Sequence, residues 1–279
     1  MLKTFFFIPA SNRRFYRALE KYNPDYFIFD LEDSISSVNV YKAINLLLTF
    51  PINNKEKIYI RLWDVKPELI EKHKLLFEKY KHILLPKVKS INQLDVFFTE
   101  VMRYYPLNKF KFIIIIESPE GITNLHAILK KYNDIIAGVG FGSHDYCNEI
   151  GASHTTENYS FARNLVLLNG KAFNKICIDI ASTNISDEDF FISECKEAFN
   201  MGYDAKPVLH PWQYETINKI SFYTNEEIEK AKALYKQFAG FLPNDISAIK
   251  SNGRIIEKPH VKRINNIIQY LIKQNTISL

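Results

Sequence analysis

Eight short runs of apolar, β-branched and aromatic residues recur along the chain, each separated from the next by an amphipathic stretch long enough for a helix. The runs are Thr4–Pro9, Tyr26–Leu31, Lys57–Leu62, Ile83–Val88, Phe110–Ser118, Ile135–Gly142, Lys175–Ala181 and Tyr203–His210. Each is nearly continuous in apolar character, as strands buried on both faces are, and their alternation with helical stretches is the pattern of parallel βαβ units. Phe112 to Ile116 is the extreme case and reads as a central strand, since it is far too short to cross a bilayer. Eight such units without a break in composition argue for an α/β chain folded as a closed (β/α)8 TIM barrel more than for an open doubly wound sheet. A chain of 279 residues accommodates a barrel of about 250.

The barrel is expected over residues 1–239. Beyond a helix at Glu226–Phe238 the rhythm breaks at Phe241, with Pro243, Asn252-Gly253 and Pro259 ahead of a final helix from Val261 to Ile272. Residues 240–279 therefore read as a C-terminal helical extension, packed on the barrel or on a neighbouring subunit.

The bulk numbers narrow the class of partner. The net charge of +5 is modest, and the lysines are spread over the expected helices, so they read as a solvated surface and not as a nucleic-acid patch. No aromatic–basic interleaving or nucleic-acid module is visible. Cys147, Cys177 and Cys195 lack metal-like spacing and are too few for a disulfide framework, so they read as reduced thiols of a cytoplasmic protein. The apolar stretch from Phe5 to Pro9 is too short for a signal-peptide core or a membrane span, and no membrane partner is expected.

In a (β/α)8 barrel the chemistry sits at the carboxyl ends of the strands. Here the first run is followed by Pro9 through Arg14, and the second ends in Asp30-Leu31-Glu32-Asp33. The third ends in Arg61-Leu62-Trp63-Asp64 and the fourth in Pro86-Lys87. The fifth ends in Glu117-Ser118-Pro119-Glu120-Gly121, the sixth in Gly142-Ser143-His144-Asp145, the seventh in Asp179 and the last in His210-Pro211. One mouth thus carries several acids together with Arg61, Lys87 and His210. Glu117 and Asp145 close consecutive strands, and two carboxylates that leave other positions to water and substrate oxygens describe a Mg²⁺ site. The alternative is that each merely caps the helix that follows it. Asp30, Glu32 and Asp33 crowd more acid together than capping requires, which favours a site role. Gly138, Gly140 and Gly142 lack a dinucleotide fingerprint and suggest close backbone approach. His210 is either a structural turn residue or a site residue, and His144 reads as an exposed turn residue.

The order of these strand-end motifs resembles the citrate lyase β-subunit family, within the HpcH/HpaI aldolase and acyl-CoA lyase superfamily. The resemblance runs from Pro9…Arg14 through Asp30-Leu31-Glu32-Asp33, Arg61, Leu85-Pro86-Lys87-Val88, Glu117 to Gly121, and Gly142 to Asp145. It continues in Ala162-Arg163, in Gly202 to Lys206 leading into His210-Pro211-Trp212-Gln213, and in Ile217-Asn218 through Thr224, covering roughly residues 4 to 238. It implies that Glu117 and Asp145 bind Mg²⁺, with Mn²⁺ as an alternative. It implies that Arg61 faces a substrate carboxylate or thioester carbonyl, where fixed positive charge stabilises an enolate. Asp33, with Glu32 and Asp30, would hold metal-bound waters or shuttle a proton, and Asp179 is a second candidate acid. Arg14, Lys87, Trp63 and His210 complete the expected substrate-binding set.

Four positions depart from the family pattern. Ala10 stands where the family often has glycine, Trp63 replaces a small polar residue, His144 replaces a frequent acid, and Ile180 replaces a glycine. The metal core is intact while the substrate wall is altered, so Trp63 and His144 are expected to reshape the pocket toward a substrate other than a citryl thioester. The implied activity is a Mg²⁺-dependent carbon–carbon lyase or aldolase acting on a β-hydroxy acid, as a CoA thioester or as the free acid, with release of an α-oxo acid. Hydrolysis of malyl-type thioesters and a non-catalytic binding subunit are the other readings. The family commonly forms homotrimers, and the C-terminal extension would suit a contact with a neighbour's site.

Overall fold

The computed structural model describes residues 1–33, 35, 39–52, 54–237, 248–251 and 254–273, with backbone alone at 237, 248–251, 254–260 and 273. The chain divides into two compact units, one spanning Leu2–Lys219 and the other Ile220–Leu279 together with Met1.

The larger unit is a closed parallel barrel in sequential strand order. Its strands are β1 (Lys3–Pro9), β2 (Tyr26–Asp30), β3 (Ile58–Arg61), β4 (His82–Leu85), β5 (Lys111–Ile116), β6 (Ile136–Phe141), β7 (Ile176–Ile178) and β8 (Ala205–Val208), with β8 pairing back onto β1. Closure removes the open-sheet alternative. The interior is filled by one side chain from each of seven strands: Phe5, Ile28, Tyr59, Leu84, Ile113, Ile178 and Ala205. β6 contributes glycine instead. A Cβ on Gly138 would lie 3.2 Å from the Ile113 Cγ1, and one on Gly140 would lie 2.7 Å from the Ile115 Cδ1. The isoleucines of β5 thus fill the space that β6 vacates, which is the close approach the alternating glycines suggested.

Several strands stop earlier than the apolar runs, and each stop has a local cause. β4 ends at Leu85 because Lys87 adopts a left-handed backbone with φ 51°. β5 ends at Ile116 because Ser118 turns the chain into the helix Pro119–Lys131, its hydroxyl accepting the Gly121 N–H at 3.0 Å. The helix that precedes β8 ends in Gly202 at φ 100°, a left-handed cap that glycine adopts without steric cost.

The smaller unit contains the helix Asn225–Gln237, an antiparallel pair β9 (Ala248–Ser251) and β10 (Arg254–Glu257), and the helix Lys258–Lys273. Its two helices are joined by Arg263 Nη2 to Glu227 Oε1 at 2.5 Å. The helix expected at Glu226–Phe238 thus groups with the C-terminal segment, and the unit begins ahead of the boundary that composition suggests. Phe238, Phe241, Pro243 and Asn252-Gly253 lie outside the described residues. Among the described residues no helix is long and apolar enough to cross a membrane.

A buried ionic network ties β7 and β8 to the surrounding helices. Arg163, on the helix Thr156–Ala172, grips Asp179 with two N–H groups at 2.7 and 3.0 Å, and Lys206 Nζ from β8 lies 3.0 Å from Asp179 Oδ2. All three side chains are essentially inaccessible. Arg163 also meets Glu197 at 2.9 Å, while Glu194 is 3.9 Å from Lys206. Removing one partner of such a network strands the others in a poor solvent. Asp179→Asn is expected to destabilise the fold by about 3–5 kcal/mol, read from urea unfolding. A change within experimental error would show that the two cations are compensated without Asp179.

Candidate active site

Strand register brings the site together. Pro9, Asp30 and Arg61 occupy one level across β1, β2 and β3. Arg61 therefore faces Asp30 from the neighbouring strand, with Nε to Oδ1 at 2.6 Å and Nη2 to Oδ2 at 2.7 Å. This fork-to-fork geometry suits a guanidinium and would be lost with an ammonium. Asp30 Oδ1 also accepts the Glu32 N–H at 2.9 Å, which curls the loop after β2 back over the barrel end. The second arm of Arg61 then reaches Glu32 Oε2 at 2.8 Å and Asp33 Oδ2 at 3.0 Å.

Glu32, Glu117 and Asp145 each place one carboxylate oxygen so that all three lie within 4.8 Å of one another. Glu117 and Glu32 are buried, whereas Asp145 is partly exposed on the helix Ser143–Glu149. The capping alternative does not describe these acids, since Ser118 caps the helix after Glu117 and Gly142 stands at the cap of the helix holding Asp145. A Cβ on Gly142 would lie 2.5 Å from the Glu117 Cγ, so the glycine is the space in which Glu117 sits.

The electrostatics fit a cation. Burial pushes Glu117 up to about 9, helped by a hydrogen bond with Asp145 and by the charge of Glu32. That shared hydrogen bond lowers Asp145, with Lys87 adding to the effect. Burial raises Glu32 as well, against the opposing charge of Arg61. Its two oxygens lie 2.8 Å from Arg61 Nη1 and 2.8 Å from Lys87 Nζ, yet neither approach has hydrogen-bond directionality. Buried carboxylate oxygens that lack directed donors, grouped with two further carboxylates, are a suitable donor set for a hard divalent cation.

Beside the cluster a cavity of about 440 Å³ opens at the barrel mouth. Phe7, Leu84, Ile115 and Ile178 form apolar wall, and Asp33, Arg61, Glu117 and Asp145 lie along its polar side. The cavity also touches Asp179, but Arg163 and Lys206 already hold both of its oxygens. The structure thus places Asp179, expected as a candidate acid, in a buried ion-pair network at the edge of the cavity.

Of the other expected residues, Arg14, Trp63 and His210 do not line the cavity. Arg14 is exposed in the turn Arg13–Arg17. β3 ends at Arg61, so the strand alternation no longer governs Trp63, whose ring instead meets His73 edge-on at 5.1 Å. His210 caps the helix Pro211–Ile217 through a reciprocal arrangement with Gln213, the structural alternative for this residue. Lys87 lies between Glu32 and Asp145, at 2.8 and 3.2 Å, and lines an adjoining cavity. His144 does line the main cavity, stacked on His154 with ring centroids 3.6 Å apart.

Sequence reasoning assigned no role to His154, Arg163 or Lys206. Lys206 did carry a signal: a lysine in the middle of a strand buried on both faces requires a partner there. His154, which receives or donates a 2.8 Å hydrogen bond with Ser143, carried none.

Comparison with known proteins identifies the family and supports the fold. The family model for HpcH/HpaI aldolase/citrate lyase matches residues 3–211. The citrate lyase subunit beta of Leuconostoc mesenteroides subsp. cremoris is 23% identical over 287 residues, covering 96% of this chain and 92% of the relative. The mitochondrial citramalyl-CoA lyase of Rattus norvegicus is 24% identical over 286 residues, covering 94% of this chain and 83% of the relative. Among solved structures, CitE from Mycobacterium tuberculosis, in complex with magnesium, acetoacetate and coenzyme A, superimposes with a TM-score of 0.78 at 21% identity, covering 96% of this chain and 97% of that one. The chain belongs to the HpcH/HpaI aldolase/citrate lyase family.

Proposed function

We propose that this protein is a Mg²⁺-dependent lyase of β-hydroxyacyl-CoA thioesters that breaks or forms the bond between an acyl-thioester enolate and an α-oxo acid. The observation that carries the reading is the Glu32–Glu117–Asp145 cluster standing beside Arg61 at the edge of a largely apolar cavity. The magnesium, acetoacetate and coenzyme A held by the M. tuberculosis relative support the same ligand classes. Glu117 and Asp145, with Glu32 as third donor, would hold the cation. Bound there, it would supply Lewis-acid polarisation of an α-oxo carboxylate.

The chain's own groups do the rest. In the cleavage direction Asp33, the most exposed of the mouth acids at 64%, takes the proton of the hydroxyl β to the thioester. The O–H pair becomes the new carbonyl, the carbon–carbon bond breaks, and its electrons move onto the thioester oxygen as the enolate. Arg61 faces that oxygen as charge develops, held in place by Asp30 and backed by the Phe7 ring at 5.4 Å. The enolate carbon then takes the proton that Asp33 holds, giving the shortened thioester and returning Asp33 to its carboxylate. The apolar wall keeps water from the enolate. The reading includes a homo-oligomer in which the C-terminal segment serves a neighbouring copy.

A panel of malyl-, citramalyl- and citryl-type thioesters and 4-hydroxy-2-oxo acids, assayed with Mg²⁺ and with chelator, tests the proposal. Release of an α-oxo acid only with metal is expected. A free hydroxy acid with no oxo acid would identify a thioesterase, and inertness toward every compound would favour a binding subunit.

Metal titration by calorimetry tests the ligands. Glu117→Gln and Asp145→Asn are each expected to weaken Mg²⁺ binding by about tenfold or more, because each removes an anionic donor. Affinities equal to wild type in both would remove the assignment. Gly142→Ala, which forces a Cβ into the Glu117 side chain, is expected to reduce metal affinity in the same assay without touching a ligand. Retained affinity there would mean that Glu117 has room to move. Arg61→Lys keeps charge but loses the fork, and kcat is expected to fall about a hundredfold, the scale of losing one oxyanion donor. The same substitution breaks the paired contact with Asp30, so a lower melting temperature should accompany it. Wild-type turnover would reduce Arg61 to a purely structural ion pair.

A further inference from the structure

Lys87 is placed where a cation belongs. Its ammonium lies 2.8 Å from Glu32 Oε1 and 3.2 Å from Asp145 Oδ2, so it bridges two of the three acids whose oxygens converge. We propose that Lys87 is the resident counter-cation of this cluster, and that a divalent ion enters by displacing its ammonium from Glu32 and Asp145. The inference rests on the metal reading above and adds the chain's own competitor to it.

Three features distinguish Lys87 from an ordinary surface ion pair. Its backbone is left-handed at φ 51°, a conformation that residues with side chains rarely adopt, and the turn is braced on both sides. Gln93 donates to the Lys87 carbonyl at 3.3 Å, and the Val88 N–H donates to the Ile115 carbonyl at 3.1 Å. The strained turn carries the side chain across the strand ends toward the loop after β2 and the helix after β6.

The partition of charge is also specific. Arg61, fixed by Asp30, takes Glu32 Oε2 and leaves Oε1 to Lys87. Arg61 is thus the permanent partner of Glu32. Lys87, a compact charge on a flexible stem that remains about half exposed, is the exchangeable one.

A displaced ammonium also has somewhere to go. Lys87 lines an adjoining cavity, about 350 Å³, that Glu117 and Asp145 border on one side and that extends to Lys89, Ser118, Asn148 and Glu149. Withdrawal into it would rehydrate the ammonium, with the Glu149 carboxylate already present there at 3.1 Å from Lys89 Nζ. The acids consequently face a cation in both states, and the free energy of metal binding is reduced by what the ammonium gives up.

The test uses Mn²⁺ as probe, on wild type and on Lys87→Met, which keeps the chain length and removes the charge. Mn²⁺ affinity is expected to rise about tenfold or more in Lys87→Met, the scale of one nearby like charge removed from a partly screened site. In wild type, acetylation of Lys87 at fixed pH, read by peptide mass spectrometry, should rise several-fold when Mn²⁺ binds, while Lys131 stays constant. This second measurement needs no variant and decides the matter if Lys87→Met does not fold. Mn²⁺ binding with equal or weaker affinity in Lys87→Met, or Mn²⁺ binding to wild type with Lys87 acetylation unchanged, overturns the exchange and leaves the metal site intact. No Mn²⁺ binding by either protein overturns the metal reading and the exchange together.

Discussion

Arg61 stands at the end of β3 with carboxylates on three sides, and the mouth of the barrel is organised around it. Asp30 holds its fork from the adjacent strand, and the remaining arm reaches Glu32 and Asp33. Three acids that would otherwise repel one another at the end of an apolar barrel are thereby gathered by a single group that stays charged at any physiological pH. The gathering has a direction. Asp30 is consumed in holding Arg61, Glu32 is turned inward toward Glu117 and Asp145, and Asp33 is left exposed at the cavity. One ion-pair network thus sends three neighbouring carboxylates in three directions.

The second half of the site depends on packing, and here steric space decides. β5 is a run of isoleucines that ends in Glu117, and β6 is a series of glycines that ends in Gly142. Gly138 and Gly140 admit the isoleucine side chains to the barrel interior, and Gly142 admits Glu117 to the mouth. The same complementarity therefore fills the core and positions Glu117. Elsewhere on the cavity wall Asp179 is held from behind by Arg163 and Lys206.

Periodicity carries much of this architecture into the sequence. The eight apolar runs, the polar residues that end them and the closure into a barrel are legible because burial on both faces imposes an unbroken apolar pattern. Glu117 and Asp145 were legible as a pair because they end adjacent strands. What the pattern does not carry is which of several clustered acids turns which way. Glu32 was read, with Asp33 and Asp30, as holding metal-bound waters or shuttling a proton, and the Asp30 hydrogen bond to its amide and the pull of Arg61 place it as the third member of the carboxylate cluster. Asp179 ends a strand as Glu117 does, and only the buried cations from a distant helix and from β8 distinguish the two. His210 looks like a site residue until Gln213 is seen to complete its capping box.

These distinctions bear on where substrate selection resides. Two positions beside the expected ligands, Trp63 and His144, differ from the family pattern, and the structure separates them. Trp63 falls beyond the end of β3 and turns to His73, away from the cavity. His144 immediately precedes a cluster acid and lines the cavity, with its ring backed by His154 and its Nε2 3.2 Å from the Thr183 hydroxyl. Thr183 lines the same wall, so the pair presents an imidazole and a hydroxyl where the family frequently presents an acid. Replacing an anion with an imidazole and a hydroxyl beside Asp145 lowers the repulsion that an acidic substrate meets there. The altered chemistry is therefore concentrated on the β6–β7 side of the mouth, opposite Arg61. Changes to the preferred acid should map to that side and not to the Arg61 side.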